Sequence, residues 1–333
     1  MEVILGVDVG GTTMAAGVVT PSGDVLVDQQ RPTHHAGRGS AVQTLMELIS
    51  AVSSEAASRG LHITGIGAGV PGLVDGATGC IGDEALNVPE LGGLPLATML
   101  RERFGLPAFV DNDVNALALG ELFFGAGRGV GSLVVLAPGT GFGAGVVLDG
   151  RLVRGALGLG GELGHAPVKF DGRPCWCGGR GCLAVYASGR GIAEAARARV
   201  AGRAGEALLT AAGGDPGRIT APLVFRAAAH GDPTATGIVE EACLALGAMI
   251  GIVVNGLNPE LLLITGGVAG ALAPLEGRVL RAAEGFAFSR ALARTRIRLV
   301  PGDKRLTARG GAALVLYEIA RAERAGCATS AGG

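Results

Sequence analysis

VILGVDVGGTTMAAGVVTPSGDVLVDQ, residues 3–29, reads as strand, glycine turn, strand, turn, strand. β-Branched residues dominate the strands, and Pro21-Ser22-Gly23-Asp24 supplies a hairpin turn. A helix pattern follows at about 40–59, then a strand over 63–70, a helix near 95–104, the strand AFVDND and a helix over about 114–124. The pattern then restarts. SLVVLAPGTGFGAGVVLDGRLV (132–153) is again strand, glycine turn, strand, turn, strand. Helices near 189–200, 222–230 and 234–256 lead to the buried strand LLLIT (261–265), a helix, the strand IRLV (297–300) and a last helix over about 309–323. The shared order of elements predicts a duplicated α/β architecture. The tail over 325–333 is expected to be disordered.

The composition excludes several classes. The 333 residues carry 28 basic and 29 acidic side chains, with no Lys/Arg run, so nucleic acid has no electrostatic footprint to bind. No apolar run of membrane-spanning length lacks a glycine or charge, so no membrane partner is expected. MEVILGV carries an early Glu and enters a strand directly, which predicts a cytoplasmic protein with reduced thiols. The 60 glycines cluster between apolar runs, as tight strand turns and ligand loops require.

Asp8-Val9-Gly10-Gly11-Thr12-Thr13 joins two strands. Adjacent glycines let backbone N–H groups face a phosphate, and the threonines add hydroxyls. Asp8, at a strand end, suits Mg²⁺ held through water. Taken by itself, this stretch is better explained as an ordinary glycine hairpin. The second copy, PGTGFGAG (138–145), sits at the equivalent turn, and the two together predict a phosphate clamp. GAGVPG completes a G-x-G-x-x-G over Gly67, Gly69 and Gly72, but Pro71 opens no helix, which excludes a dinucleotide fingerprint. A P-loop motif is absent.

VDNDVNA (110–116) ends a strand and opens a helix. Asn112 and Asp113 suit vicinal hydroxyls, and a carboxylate here suits a general base for an attacking alcohol. Helix capping is the competing explanation. In GGELGHAPV (160–168), Glu162 and His165 lie three apart. His165, Cys175, Cys177 and Cys182 make a Cys₃His set for a structural, tetrahedral Zn²⁺. The metal would fix the loop bearing Glu162 and His165, leaving one imidazole nitrogen for substrate. Cys80, Cys243 and Cys327 stand alone and read as inert.

The order DVGGTT, GVPGLVD, VDNDVNA, PGTGFGAG, GELGH, CWCGGRGC and NPELLLITGG resembles the ROK family of bacterial sugar kinases and repressors, most closely its kinases, over residues 3 to 320. The resemblance implies an actin/hexokinase-like α/β fold: two RNase-H-like lobes with a cleft between them. The lobes would be 1–120, completed by helix 309–323, and 121–308, carrying the zinc site and dimerisation helices. It implies phosphoryl transfer from ATP·Mg²⁺ to a hexose, commonly at the 6-hydroxyl, by a glucokinase-like enzyme forming dimers or tetramers. Asp113 would be the base. Asn112, Glu162 and His165 would hold ring hydroxyls, with Gly69 and Asn87 lining the sugar site. Asp8, Gly10, Gly11, Thr12, Thr13 and the Gly139-Thr140-Gly141 turn would cradle phosphates, and Gly266 and Gly267 would lie near the adenosine.

Two positions depart from the family pattern. Thr13 stands where the glycine loop often has Lys. Ala184 stands where active kinases usually carry a Glu that bonds the hydroxyls near C1 and C2 of the sugar. A polar anchor of that kind is worth about 1–3 kcal/mol of discrimination. Glucose or a modified or amino glucose is therefore the expected substrate. A catalytically impaired sugar-binding protein and a polyphosphate-dependent kinase are the alternatives. A repressor is not expected, because the first strand starts at residue 3, where family repressors carry an added helix-turn-helix domain.

Overall fold

The computed structural model describes every residue except Glu84, Leu86, Arg203, Ala204, Asp303, Lys304, Arg305 and Ala331–Gly333. The first half runs β1 (Glu2–Val9), β2 (Thr13–Val19), β3 (Val25–Pro32), α1 (Ala41–Ser58), β4 (His62–Val70), α2 (Leu96–Phe104), β5 (Ala108–Asn112) and α3 (Asp113–Phe124). The second runs β6 (Leu133–Pro138), β7 (Phe142–Leu148), β8 (Arg151–Leu152), α4 (Ala184–Ala187), α5 (Gly189–Ala201), α6 (Glu206–Ala211), α7 (Ala221–Ala229) and α8 (Pro233–Gly256). It continues through β9 (Leu261–Ile264), α9 (Ala269–Leu272), α10 (Glu276–Glu284), α11 (Ser289–Leu292) and β10 (Arg296–Leu299), and α12 (Leu306–Ser330) ends the chain.

The duplication is visible in the strand orders β3-β2-β1-β4-β5 and β8-β7-β6-β9-β10. Each sheet is a three-strand meander extended by two strands parallel to its first. Helical crossovers make the parallel pairs possible. Two compact units result: Met1–Val130 with Gly145–Gly161 and Asp303–Gly333, and Gly131–Ala144 with Glu162–Gly302.

Alternation along the strands of the first unit sets its two faces. Val3, Leu5, Val7 and Val9 point into a core with Leu45, Leu48 and Ile49 of α1 and Leu100 of α2. On the other face Ile4 and Val19 meet Ala308, Ala312 and Val315 of α12. Glycines replace side chains on that second face. A Cβ on Gly6 would collide with the carbonyl of Ala308, and one on Gly67 with that of Gly311. α12 therefore lies with its backbone on the sheet. It also meets α3 closely, since a Cβ on Gly120 would fall 3.0 Å from the Cα of Gly310.

Three local differences from the sequence reading have simple causes. The one helix expected between β9 and β10 is three, interrupted by Pro274 and Gly285. The short α6 sits between glycine clusters that hid it. α12 continues to Ser330 through much of the segment expected to be disordered, and the rest of that expectation, 331–333, lies outside the described residues. α8 is apolar and long enough to cross a membrane, yet 72% of its apolar window is buried inside the fold.

The glycine contact yields a direct expectation. Gly67→Ala forces a methyl into backbone of α12 and destabilises the protein by about 1–3 kcal/mol. Gly139→Ala, whose Cβ meets nothing within 4 Å, stays within about 0.5 kcal/mol of the parent. Denaturant unfolding of the two variants checks the contrast.

Candidate functional site

In the first unit the parallel strands β1, β4 and β5 end together. Register pairs Asp8 with Gly69 and Gly69 with Asp111, so the three lie in one row across the sheet. The carboxyl ends of such strands are where open α/β sheets place ligands. The Asp8–Thr13 turn is closed by Gly10 N–H donating to the Thr13 carbonyl (3.0 Å). The Thr33 hydroxyl, donating to the Gly10 carbonyl (2.6 Å), holds it from below. Gly11, Thr12 and Thr13 are exposed. A Cβ on Gly11 would lie 3.2 Å from the Asn87 carbonyl oxygen, so glycine there lets Asn87 approach the turn. Burial pushes the Asp8 carboxyl up to about 6. A cation beside it would offset that cost, which suits the expected Mg²⁺ position.

Asn112 caps α3. Its Oδ1 accepts the N–H groups of Val114 (2.9 Å) and Asn115 (3.3 Å), and its Nδ2 donates to the Gly72 carbonyl (3.0 Å). The capping role, weighed against the sugar role from sequence, is thus present in the structure. Asp113 is the first residue of α3, and its Oδ1 accepts the Val114 N–H at 2.9 Å, which orients the carboxylate. A Cβ on Gly69 would fall 3.2 Å from the Asp113 Cα, so glycine lets the end of β4 lie against that first turn.

Sequence reasoning missed the support beneath these residues. Asp111, 1% exposed, accepts hydrogen bonds from the Asn112 N–H (2.7 Å), Asn115 Nδ2 (2.9 Å) and Arg154 Nε (2.7 Å). Arg154 also pairs with Glu318 of α12 at 2.5 Å. Burial works against the guanidinium charge, but Asp111 and Glu318 outweigh it and hold Arg154 protonated. An aspartate closing an apolar strand signals that a buried partner is needed. Nothing in the sequence says that the partner lies 43 residues away.

In the second unit, Gly139-Thr140-Gly141 joins β6 to β7. The turn is docked on the start of α5, where the N–H of Gly189 donates to the Gly139 carbonyl (2.8 Å) and that of Arg190 to the Thr140 carbonyl (3.0 Å). A Cβ on Gly139, Gly141 or Gly267 would meet nothing within 4 Å. No internal packing demands glycine there, and the bare backbone leaves room for a ligand to approach closely. Gly266 differs: its φ is 130° and its Cβ would crowd the Pro138 carbonyl at 2.9 Å, which is a structural requirement.

His165, Cys175, Cys177 and Cys182 converge, with one donor atom from each lying within 4.8 Å of the others. His165 Nδ1 is 3.6 Å from Cys175 Sγ, and Cys177 Sγ is 3.8 Å from Cys182 Sγ. Gly178 turns the loop with φ 86°, and its N–H donates to the Cys175 carbonyl (3.1 Å). Burial pushes the Cys182 thiol up to about 12, while the Gly179 N–H pulls Cys177 down. Three thiols this close ionise together only beside a cation, so the donor set fits a closed Zn²⁺ site. Nδ1 faces the cysteines, and Nε2 makes no hydrogen bond among the described residues. Glu162 precedes His165 by one short turn. Although the residue is solvent-accessible, the surrounding chain desolvates its carboxylate and raises its pKa, and His165 partly opposes this. Gly164 between them is required because its Cβ would collide with the Phe142 carbonyl. Cys80 is half-buried and Cys243 buried, apart from this cluster, while the Cys327 side chain lies outside the described residues.

One further contact was not legible in the sequence. The Arg190 guanidinium stacks on Trp176 at 4.4 Å, and Trp176 meets the His165 ring edge-on at 6.4 Å. Arg190 thus touches the cysteine loop with its side chain and the Gly139–Gly141 turn with its backbone.

The family model described as "ROK family" matches residues 4–317. The chain belongs to the ROK family. A glucokinase of Halalkalibacterium halodurans is 37% identical over 268 residues, 80% of this chain and 80% of that protein. The ROK hexokinase of Thermus thermophilus is 31% identical with a TM-score of 0.78, covering 96% of this chain and 99% of that one. A ROK family glucokinase from Streptomyces griseus, solved in complex with glucose and AMPPNP, is 30% identical with a TM-score of 0.72, covering 94% and 98%. The actin/hexokinase-like α/β fold expected from the motifs is the fold of these ROK structures.

Two expectations follow for this ROK protein. Metal analysis finds about one Zn²⁺ per chain, lost in Cys177→Ser, and chelation shifts the emission of Trp176, the one tryptophan in the sequence. The second concerns pH. The folded protein holds the Asp8 proton up to about pH 6, whereas an unfolded aspartate releases it near 3.8. Stability is therefore lost as pH rises through this window, by up to about 3 kcal/mol. In the absence of nucleotide, Asp8→Asn raises the melting temperature at pH 8, and the gain vanishes near pH 4. Thermal scans across that range check it.

Proposed function

We propose that this ROK-family sugar kinase transfers the γ-phosphate of ATP to the 6-hydroxyl of glucose or of a modified or amino glucose, with Asp113 as the general base. The observation that carries the reading is the placement of Asp113. It opens α3 at the carboxyl end of β5, level with the Asp8–Thr13 turn at the end of β1, with its carboxylate oriented by the Val114 N–H. In the reaction the sugar hydroxyl gives its proton to Asp113 while its oxygen bonds the γ-phosphorus. The bond from that phosphorus to the bridging oxygen breaks, and ADP leaves. Asn112, Glu162 and His165 are the hydroxyl-binding candidates, with Gly69 and Asn87 lining the sugar. The turns at Gly10–Thr13 and Gly139–Gly141 offer backbone donors to the phosphates, and Gly266 and Gly267 face the adenosine. Mg²⁺, held by the phosphates and Asp8, would neutralise phosphate charge. Zn²⁺ on His165 and the three cysteines would fix the loop that aims Glu162 and His165.

Ala184 shapes the substrate side. It is 1% exposed in the first turn of α4, and its carbonyl accepts the Ser188 hydroxyl at 2.6 Å. No carboxylate stands at this position to bond a sugar, which supports a substrate that departs from glucose around C1 and C2. Exposed Leu244 and Ile252 on α8, with exposed Phe286 and Phe288, whose segment is tied to α8 by the Phe288 N–H donating to Asn255 Oδ1 (2.7 Å), support a homodimer or homotetramer. The crowded free thiols and the use of ATP support a cytoplasmic location.

A phosphorylation assay over a panel of hexoses, with ATP and with polyphosphate, tests the reading. Asp113→Asn lowers kcat by about 10²–10⁴-fold and leaves the nucleotide KM nearly unchanged. Absence of turnover on every hexose, or turnover indifferent to the substitution, would sink it.

A further inference from the structure

The first unit holds a concavity whose lining includes none of the residues assigned above to sugar, nucleotide or metal. Its volume is about 820 Å³, a size that suits a small metabolite. Arg151, Arg154, Arg321 and Arg324 line it, together with Tyr317 of α12 and the segment after β8. A smaller cavity of about 230 Å³ adjoins it through Gly76, Ala77 and Arg321.

The donors in this cavity outnumber the acceptors that engage them. Arg154 is held by Asp111 and Glu318, and Arg321 lies 3.0 Å from Glu318. The side chains of Arg151 and Arg324 have no hydrogen bond or ion pair among the described residues. The Tyr317 hydroxyl accepts the Leu152 N–H at 3.0 Å, which leaves its own proton for an acceptor. The backbone N–H groups of Gly155, Ala156 and Leu157 likewise meet no acceptor among the described residues. Gly155 and Gly158 take φ of 71° and 75°, conformations that keep this segment folded as a loop. Asp75 is the acidic residue of the lining, and its Oδ1 accepts the N–H groups of Ala77 (2.8 Å) and Thr78 (3.3 Å) within its own turn. Guanidinium forks, a phenol and loop amides together recognise a compact, multiply charged oxyanion.

We propose that this cavity is a regulatory site for a small metabolite bearing a phosphate group, and that its occupancy slows phosphoryl transfer through Arg154. The anion competes with Asp111 for the guanidinium. Asp111 then loosens its hold on the Asn112 N–H and on Asn115, and with it the start of α3 that presents Asp113. Binding stands apart from the functional reading above, whereas the effect on turnover rests on it.

Inorganic phosphate is the probe, titrated into the full chain by calorimetry with AMPPNP saturating, so that nucleotide-phosphate positions are filled. Chloride at matched ionic strength is the control. The double variant Arg151→Ala/Arg324→Ala alters two exposed side chains outside the proposed catalytic machinery. It weakens phosphate at least tenfold while leaving AMPPNP affinity and phosphate-free turnover unchanged, and the Arg151→Lys/Arg324→Lys pair is intermediate. In the parent enzyme phosphate lowers kcat, and in the alanine pair it does not. Equal phosphate affinity in parent and alanine pair, or an equal response to chloride, overturns the site. Undiminished turnover at saturating phosphate overturns its regulatory role. A parent enzyme that phosphorylates no sugar refutes the functional reading and leaves the binding comparison intact.

Discussion

Backbone contact between α12 and the first sheet is the constraint on which the first unit depends. Gly6 and Gly67 on the strands, and Gly310 and Gly311 on the helix, remove the side chains that would hold the layers at ordinary distance. The same helix meets Gly120 of α3 and carries Glu318 to Arg154. The last helix of the chain therefore fixes a helix in its middle, whose first residue is the proposed base. Close packing of this kind tolerates little change in volume, because backbone cannot rotate out of the way as a side chain can.

Charge at the strand ends is the second organising feature. Asp8 and Asp111 occupy one row of the sheet with Gly69 between them, yet their environments diverge. Asp111 has Arg154, Asn115 and a backbone N–H, so its burial is compensated. Breaking such a pair costs about 3–5 kcal/mol. Asp8 has no equivalent partner among the described residues, and desolvation raises its pKa. A carboxylate kept buried at a net cost is a mark of a functional site rather than of a stabilising one. One aspartate thus braces the start of α3, and the other is the position proposed above for a cation.

The second unit solves a different problem. The segments proposed above to face ligands are loops, at Gly139–Gly141, 162–165 and 175–182, and loops need external supports. The start of α5 supplies one, through the amides of Gly189 and Arg190. The Cys₃His cluster supplies another, and Trp176 under Arg190 joins the two. Few long side chains are involved, so the geometry rests on hydrogen bonds, one aromatic stack and the proposed metal.

Much of this was legible in the sequence. Period-two alternation, glycine turns and the repeat of strand–turn–strand marked both sheets, and residue chemistry singled out Asp113 and the glycine turns as candidates and the Cys₃His set that converges in the fold. These signals are local: each depends on residues within a few positions, where strand and helix periodicity act. What the sequence by itself determined was the order of the strands and long helices, the duplication and the chemistry each motif can perform. Only the tertiary structure decided that Asp111 needs Arg154, that Arg190 bridges two loops and that four arginines share a cavity. Those contacts join segments far apart in the chain, and their partners are chosen by how the layers pack, which no short window of sequence encodes.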